Sequence, residues 1–167
     1  MIYFCFFSLF ILIEVIYLKI ARQVGLIDVP NHRSSHLNST VRGGGVIFPI
    51  AFLLSYFTST NHFTLLLIAV LMLSTISLLD DKYSLPSRLR FIVQFIASVF
   101  LILQLELPLI HWAFPIVLFV LVGGVNAFNF MDGINGITAL YSIVTLSSLW
   151  VVNTQVSFIE ANYILFP

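Results

Sequence analysis

Apolar residues run along this chain in blocks near the length of a membrane-crossing helix, separated by short polar breaks. A hydrocarbon core about 30 Å thick takes roughly 20 helical residues to cross. Six blocks approach that length: Met1–Ile20, Val46–Thr60, Phe63–Leu79, Leu89–Leu107, Trp112–Phe128 and Ile137–Val152. Asn61 and His62 part the second block from the third, and Pro108, which cannot continue a helical ladder, parts the fourth from the fifth. Within each block the apolar residues are continuous rather than alternating, so helices are predicted and a membrane barrel is not. After Asn153 the chain turns polar, then apolar again at Tyr163–Phe166, which reads as the start of a seventh span. The predicted fold is all-α: one polytopic transmembrane helical bundle over residues 1–167, of about six spans plus the start of a seventh.

Composition supports this reading. The chain is 60% hydrophobic and only 8% charged. About a quarter of a soluble domain is charged, and 167 residues could not cover so much apolar surface, so lipid must be the solvent. Cys5 is the only cysteine, which excludes a disulfide framework and a cysteine metal site. Met1–Ile20 has no basic leading region and no small-residue cleavage site, so it is read as a retained span.

Charge then orients the chain. All seven basic residues fall between Lys19 and Arg42 or between Lys82 and Arg90. Counting spans puts these two stretches and the segment Asn126–Gly136 on one side of the membrane. The other side is expected to receive Asn61, His62, Glu106–His111 and both termini, with no lysine or arginine. By the positive-inside rule the charged side is cytoplasmic. Net charge is zero and there is no long basic run, so nucleic acid is not an expected partner.

Three clusters on that side could carry chemistry. Asp80 and Asp81 close a span, with Lys82 after them. Alone the pair reads as a solvated helix end; adjacent carboxylates also suit a hard divalent cation, Mg²⁺ or Mn²⁺. Asn126, Asn129 and Asp132 recur every third residue and share a helical face, with Gly133, Asn135 and Gly136 following. Asp132 or Asn135 could simply cap the next span. A calcium loop is excluded, because the twelfth position from Asp132 is Ile143 where a bidentate Glu is needed. The third cluster is Arg33, Arg42 and the run Gly43-Gly44-Gly45 at the entrance to a span. Glycine backbone at a helix start admits an anion, and arginine forks match phosphate oxygens, though a plain hinge with positive-inside arginines has the same composition. The run is neither a dinucleotide fingerprint nor a P-loop. His32 and His36 have zinc-like helical spacing, but Pro30, Ser34 and Ser35 disfavour a helix there.

In this order, Asp28-Val-Pro-Asn-His-Arg-Ser-Ser-His36 with Thr40-Val-Arg-Gly-Gly-Gly45, Leu79-Asp-Asp-Lys82 and Asn126-Ala-Phe-Asn-Phe-Met-Asp-Gly-Ile-Asn-Gly136 resemble the polyprenyl-phosphate N-acetylhexosamine-1-phosphate transferases, the family that includes the phospho-N-acetylmuramoyl-pentapeptide transferases. The resemblance covers essentially the whole chain but only the N-terminal part of the family pattern. It implies a transferase that moves a sugar 1-phosphate from a UDP-sugar onto a polyprenyl phosphate such as undecaprenyl phosphate, releasing UMP and using Mg²⁺. It places Asp80, Asp81 and Asp132 at the metal and the reacting phosphates, with Asp80 taking a proton from the lipid phosphate or orienting it. Asn126, Asn129 and Asn135 would serve the nucleotide-sugar side, and Arg33, Arg42, Gly43, Gly44 and Lys82 the phosphates. The implied setting is cell-wall or O-antigen synthesis.

Two departures stand out. Many members carry Asp where this chain has Asn135, and an amide cannot act as a base. The pattern also continues, with another span-end Asp and a histidine-rich loop that have no counterpart here. The expectation is therefore a fragment, or half of a site that a second chain completes. The competing reading is a non-enzymatic membrane protein, a transporter half or an assembly partner whose acids bind an ion, or an inert remnant. A transporter would hold its charges near mid-membrane in broken helices. Residues 1–167 alone are expected to show little or no transfer; turnover of UDP-N-acetylglucosamine by membranes containing them at about 1 s⁻¹ or faster, an ordinary enzymatic rate, would refute that.

Overall fold

The computed structural model describes residues 2–28, 39–60, 62–105, 112–131 and 137–157. Six α-helices carry nearly all of the described chain: α1 (Ile2–Val24), α2 (Ile47–Thr58), α3 (Thr64–Tyr83), α4 (Ser87–Gln104), α5 (Ala113–Met131) and α6 (Ile137–Gln155). The six expected blocks are thus six helices, most with ends shifted by a few residues. Four are long and apolar enough to cross a bilayer: Phe4–Val24, Thr64–Tyr83, Ser87–Gln104 and Ile137–Gln155. Gly44–Thr58 and Ala113–Asn129 are shorter apolar stretches. The chain is an all-α, multi-pass membrane protein. The segment expected to begin a seventh span lies outside the described residues.

The chain divides into two compact units, one of residues 1–61 and 144–167 and the other of residues 62–143. In the first unit α1 ends four residues beyond its predicted limit. Gly25 sits in the left-handed region at φ 79°, Gly25 N donates to Arg22 O and Leu26 N to Ala21 O. This paired closure satisfies the last carbonyls of the helix, and glycine adopts the required φ without a Cβ penalty. A two-residue ladder follows, the only strand pairing among the described residues: β1 (Ile27–Asp28) runs antiparallel to β2 (Thr40–Val41), with Ile27 opposite Val41. Gly43, also left-handed at φ 77°, leads into a 3₁₀ turn at Gly44–Val46 and so into α2. The returning strand is tied to α1 by Tyr17 Oη, which donates to Arg42 O at 2.8 Å.

The second unit contains the acid pair. Here α4 is the shared neighbour of α3 and α5. Ile102 of α4 packs with Leu118 and Val122 of α5 in a buried apolar cluster. Small residues on the buried faces, Ala69 in α3 and Ala97 and Ser98 in α4, allow close helix approach, the usual device where lipid removes any hydrophobic drive between helices. At one end of the α3–α4 pair Leu65 N donates to Gln104 Oε1 at 2.8 Å.

At the other end the chain reverses through Ser84-Leu85-Pro86. Ser84 is the one non-glycine described residue at positive φ, 49°. Its N–H donates to Asp80 O, and Pro86, extended at ψ 138°, opens α4. Asp80 holds this turn through its side chain too: Oδ1 accepts from Leu85 N and Oδ2 from Arg90 Nη1, both at 2.8 Å. Left-handed backbone costs an L-residue about 1–2 kcal/mol, and Ser84 bears it because the turn is held on both sides. Accordingly, Ser84→Gly should leave thermal stability in detergent unchanged or raise it by up to about 1 kcal/mol, while Ser84→Val lowers it by about 1–2 kcal/mol. Asp80→Ala, which leaves Leu85 N and Arg90 without their acceptor, should cost about 1–3 kcal/mol on the same melting measurement.

Candidate functional site

Asp80 and Asp81 lie in the last turn of α3, which runs four residues past the predicted block end at Leu79. Acidic residues at a helix C-terminus oppose the macrodipole, which favours cations there, so the pair needs compensation. Lys82 in the same turn supplies some, and its Nζ lies 5.2 Å from the centre of the Tyr83 ring. Arg90 supplies more from the next helix through its ion pair with Asp80. The two side chains are about one-third and one-quarter exposed, so the pair is neither buried nor fully solvated.

Neighbouring residues on a helix point about 100° apart and do not face each other. Asp80 is turned toward the reversal and α4, with a donor on each carboxylate oxygen. Asp81, half-buried, leaves the helix in a different direction. The acids are thus not interchangeable, because they leave the helix in different directions.

Asp80 and Asp81 are hard oxygen donors of the kind a divalent cation takes. Mg²⁺ is commonly held by one or two carboxylates with waters and substrate phosphates completing its shell, and the span end offers two carboxylates with hard oxygens. Among the described residues no group of three His, Cys, Asp or Glu side chains could hold an ion. Asp132, the third expected ligand, lies outside the described residues, as do Asn135 and Arg33.

The other predicted residues fall as follows. Asn126 and Asn129 share a face near the end of α5, in the same unit as the acid pair. Asn126 Nδ2 donates to Val122 O of its own helix at 3.2 Å, and nearby the Phe128 ring meets Tyr141 of α6 edge-on at 5.0 Å. Arg42, Gly43 and Gly44 belong to the first unit. There Gly43 has a local reason, its positive φ, while a Cβ on Gly44 would lie 3.4 Å from Glu14 Oε1. That is a close but ordinary contact with the end of a flexible side chain.

Sequence reasoning passed over three residues. Arg90 was counted only as an orienting charge, although the i+10 spacing to Asp80 could have flagged it once a tight turn was assumed. Glu14 lies within the apolar stretch of α1, with Oε2 buried and lacking a partner among the described residues. An ionisable group at such a position is costly and calls for a reason. Gln94, one turn along α4 from Arg90, is 7% exposed, and its Oε1 likewise finds no partner among the described residues. A single polar residue in an apolar run was the available signal for both.

Comparison with known proteins adds a family. Over 151 residues the chain is 27% identical to the probable undecaprenyl-phosphate N-acetylglucosaminyl 1-phosphate transferase of Bacillus subtilis (strain 168), covering 78% of this chain and 41% of that protein. The undecaprenyl-phosphate alpha-N-acetylglucosaminyl 1-phosphate transferases of Yersinia pestis and Escherichia coli (strain K12) are each 28% identical, over 82% and 78% of this chain and 42% and 40% of their own lengths. The chain therefore spans about two-fifths of the length of these relatives. No solved structure matches it. The description of glycosyl transferase family 4 matches residues 63–166, which take in the acid pair, Arg90 and both α5 asparagines. A match over more than half of the chain, centred on the helices that carry the candidate site, places the protein in glycosyl transferase family 4.

Proposed function

We propose that this chain carries the acidic part of a site that transfers an N-acetylhexosamine 1-phosphate, N-acetylglucosamine 1-phosphate in the first instance, from a UDP-sugar to undecaprenyl phosphate, with release of UMP. The observation that carries this reading is the Asp80-Asp81-Lys82 turn at the end of a span-length apolar helix, inside the family match. A phosphate on a lipid lies at the membrane surface, and a span end is where a protein side chain meets it. The relatives are named for undecaprenyl phosphate and an N-acetylglucosaminyl 1-phosphate group.

The residues divide the work as follows. Asp81, with Asp80 beside it, holds Mg²⁺ or Mn²⁺; the ion, when bound, neutralises charge on the transferring phosphoryl group. Lys82 provides a point charge for a phosphate oxygen, and the family resemblance gives Arg33, Arg42 and the glycine run phosphate-binding roles of their own. Asn126, Asn129 and Asn135 hold the nucleotide-sugar by hydrogen bonds. Asp132 completes the acidic set. The charged loops face the cytoplasm of a bacterial inner membrane, by their lysine and arginine content. A second chain is a candidate for the remainder of the site. The transporter reading has one observation in its favour, the carboxylate of Glu14 inside an apolar span, but the acid pair itself is at a span end.

Binding of Mn²⁺ by the chain in lipid nanodiscs, followed by electron paramagnetic resonance, tests the reading. Affinity should rise when undecaprenyl phosphate is included and fall at least about tenfold in Asp81→Asn, the loss of one charged ligand being of order 1.4 kcal/mol or more. Equal affinity with and without the lipid phosphate, or in Asp81→Asn, would overturn it. In an active full-length assembly Asp81→Asn and Asp132→Asn should each abolish transfer of labelled sugar phosphate, with Asn135→Ala milder. Equal loss at Asn135 would mean that its amide does more than orient.

A further inference from the structure

Arg90 has no role in the function proposed above, yet it makes an ion pair with an acid of the candidate site. Its Nη1 donates to Asp80 Oδ2 at 2.8 Å across the α3–α4 reversal. The remaining Asp80 oxygen is taken by Leu85 N, at 2.8 Å. In this arrangement a cation approaching Asp80 meets a carboxylate whose charge is already compensated and, just behind it, a fixed positive charge.

We propose that Arg90 is a positioning residue that competes with the divalent cation for Asp80, and that it passes to a phosphate of the bound lipid when the cation arrives. The inference rests on the proposed function, since it assumes that Asp80 and Asp81 bind a cation.

Three observations support it. First, the ion pair is local and partly solvated, with Arg90 34% and Asp80 24% exposed, so breaking it requires no opening of a packed core. Pairs at such exposure contribute modestly to stability, which suits a contact that is exchanged rather than permanent. Second, Asp80 keeps its other ties when Arg90 leaves. Leu85 N remains on Oδ1 and Ser84 N on the main-chain oxygen, so the turn holds its shape and Oδ2 becomes available. Third, a guanidinium is suited to the exchange: its planar fork matches carboxylate and phosphate alike, and it stays charged in either partnership. Arg90 thus keeps the two acids of the span end from repelling each other before any ligand is present. It is delivered to the phosphate as the cation takes over that task.

The expected signature has a sign opposite to that of a structural staple. In nanodiscs without lipid phosphate, Arg90→Gln should bind Mn²⁺ about fivefold or more tightly than the unaltered chain, because a nearby positive charge has been removed. A staple whose loss loosened the turn would weaken binding instead. The gain in Mn²⁺ affinity on adding undecaprenyl phosphate should shrink in the same variant, since the phosphate has lost its arginine. A folded Arg90→Gln chain with unchanged or weaker Mn²⁺ binding would overturn the inference. Should that variant fail to insert, Arg90→Lys reads the same point: an ammonium holds a carboxylate less firmly, so binding should tighten about twofold, and no gain would be decisive against the exchange. Asp81→Asn separates the two levels. If it leaves Mn²⁺ binding intact, the proposed function fails and the exchange with it; if it abolishes binding while Arg90→Gln gives no gain, the exchange alone fails.

Discussion

The reversal between α3 and α4 depends on one residue. Asp80 accepts the amide of Ser84 on its main-chain oxygen, the amide of Leu85 on one carboxylate oxygen and the guanidinium of Arg90 on the other. At the end of a membrane-spanning helix the last carbonyls have little lipid-side water to satisfy them, so a turn that is short and fully hydrogen-bonded is the stable way to reverse. Ser84 in left-handed backbone and Pro86 at the start of α4 are consequences of that short path. The register of α4 against α3, and with it the position of Arg90 and Gln94 along the pair, is set there.

The same residue joins fold to chemistry. A carboxylate that organises a turn is held in one orientation, and orientation is what a metal or phosphate site requires of its ligands. Asp81 inherits that order as the next residue on the same helical turn. Acids at a helix C-terminus are unfavourable by the dipole, and Lys82 and Arg90 meet that cost locally. The site end of α3 therefore departs from the rule that makes a comfortable helix, and it does so where the family match and the span end coincide. Such departures are expected at functional positions.

A similar logic appears in the first unit at smaller scale. Gly43 and Gly44 looked like an anion cradle in the sequence. In the fold, Gly43 provides the left-handed turn and Gly44 lies beside Glu14, while Tyr17 holds the carbonyl of Arg42. The positive φ at Gly43 calls for glycine by itself, and it is compatible with a phosphate role for the same loop.

Six helices and most of their limits were legible in the chain, because crossing a hydrocarbon layer demands long apolar runs and a break between each, and both are one-dimensional properties. The acid pair, the α5 asparagines and the family resemblance were legible for the same reason: they are contiguous motifs. The end of α3 was placed four residues early, at Leu79 instead of Tyr83, because charge was read as the close of the helix when Asp80 and Asp81 continue it. That Asp80 is engaged in the turn, that Arg90 is its partner across ten residues, and that Glu14 meets Gly44 across thirty were decided by tertiary structure alone. Hydropathy records how deep a residue lies. Direction around a helix axis, and who stands opposite, emerge only when helices pack.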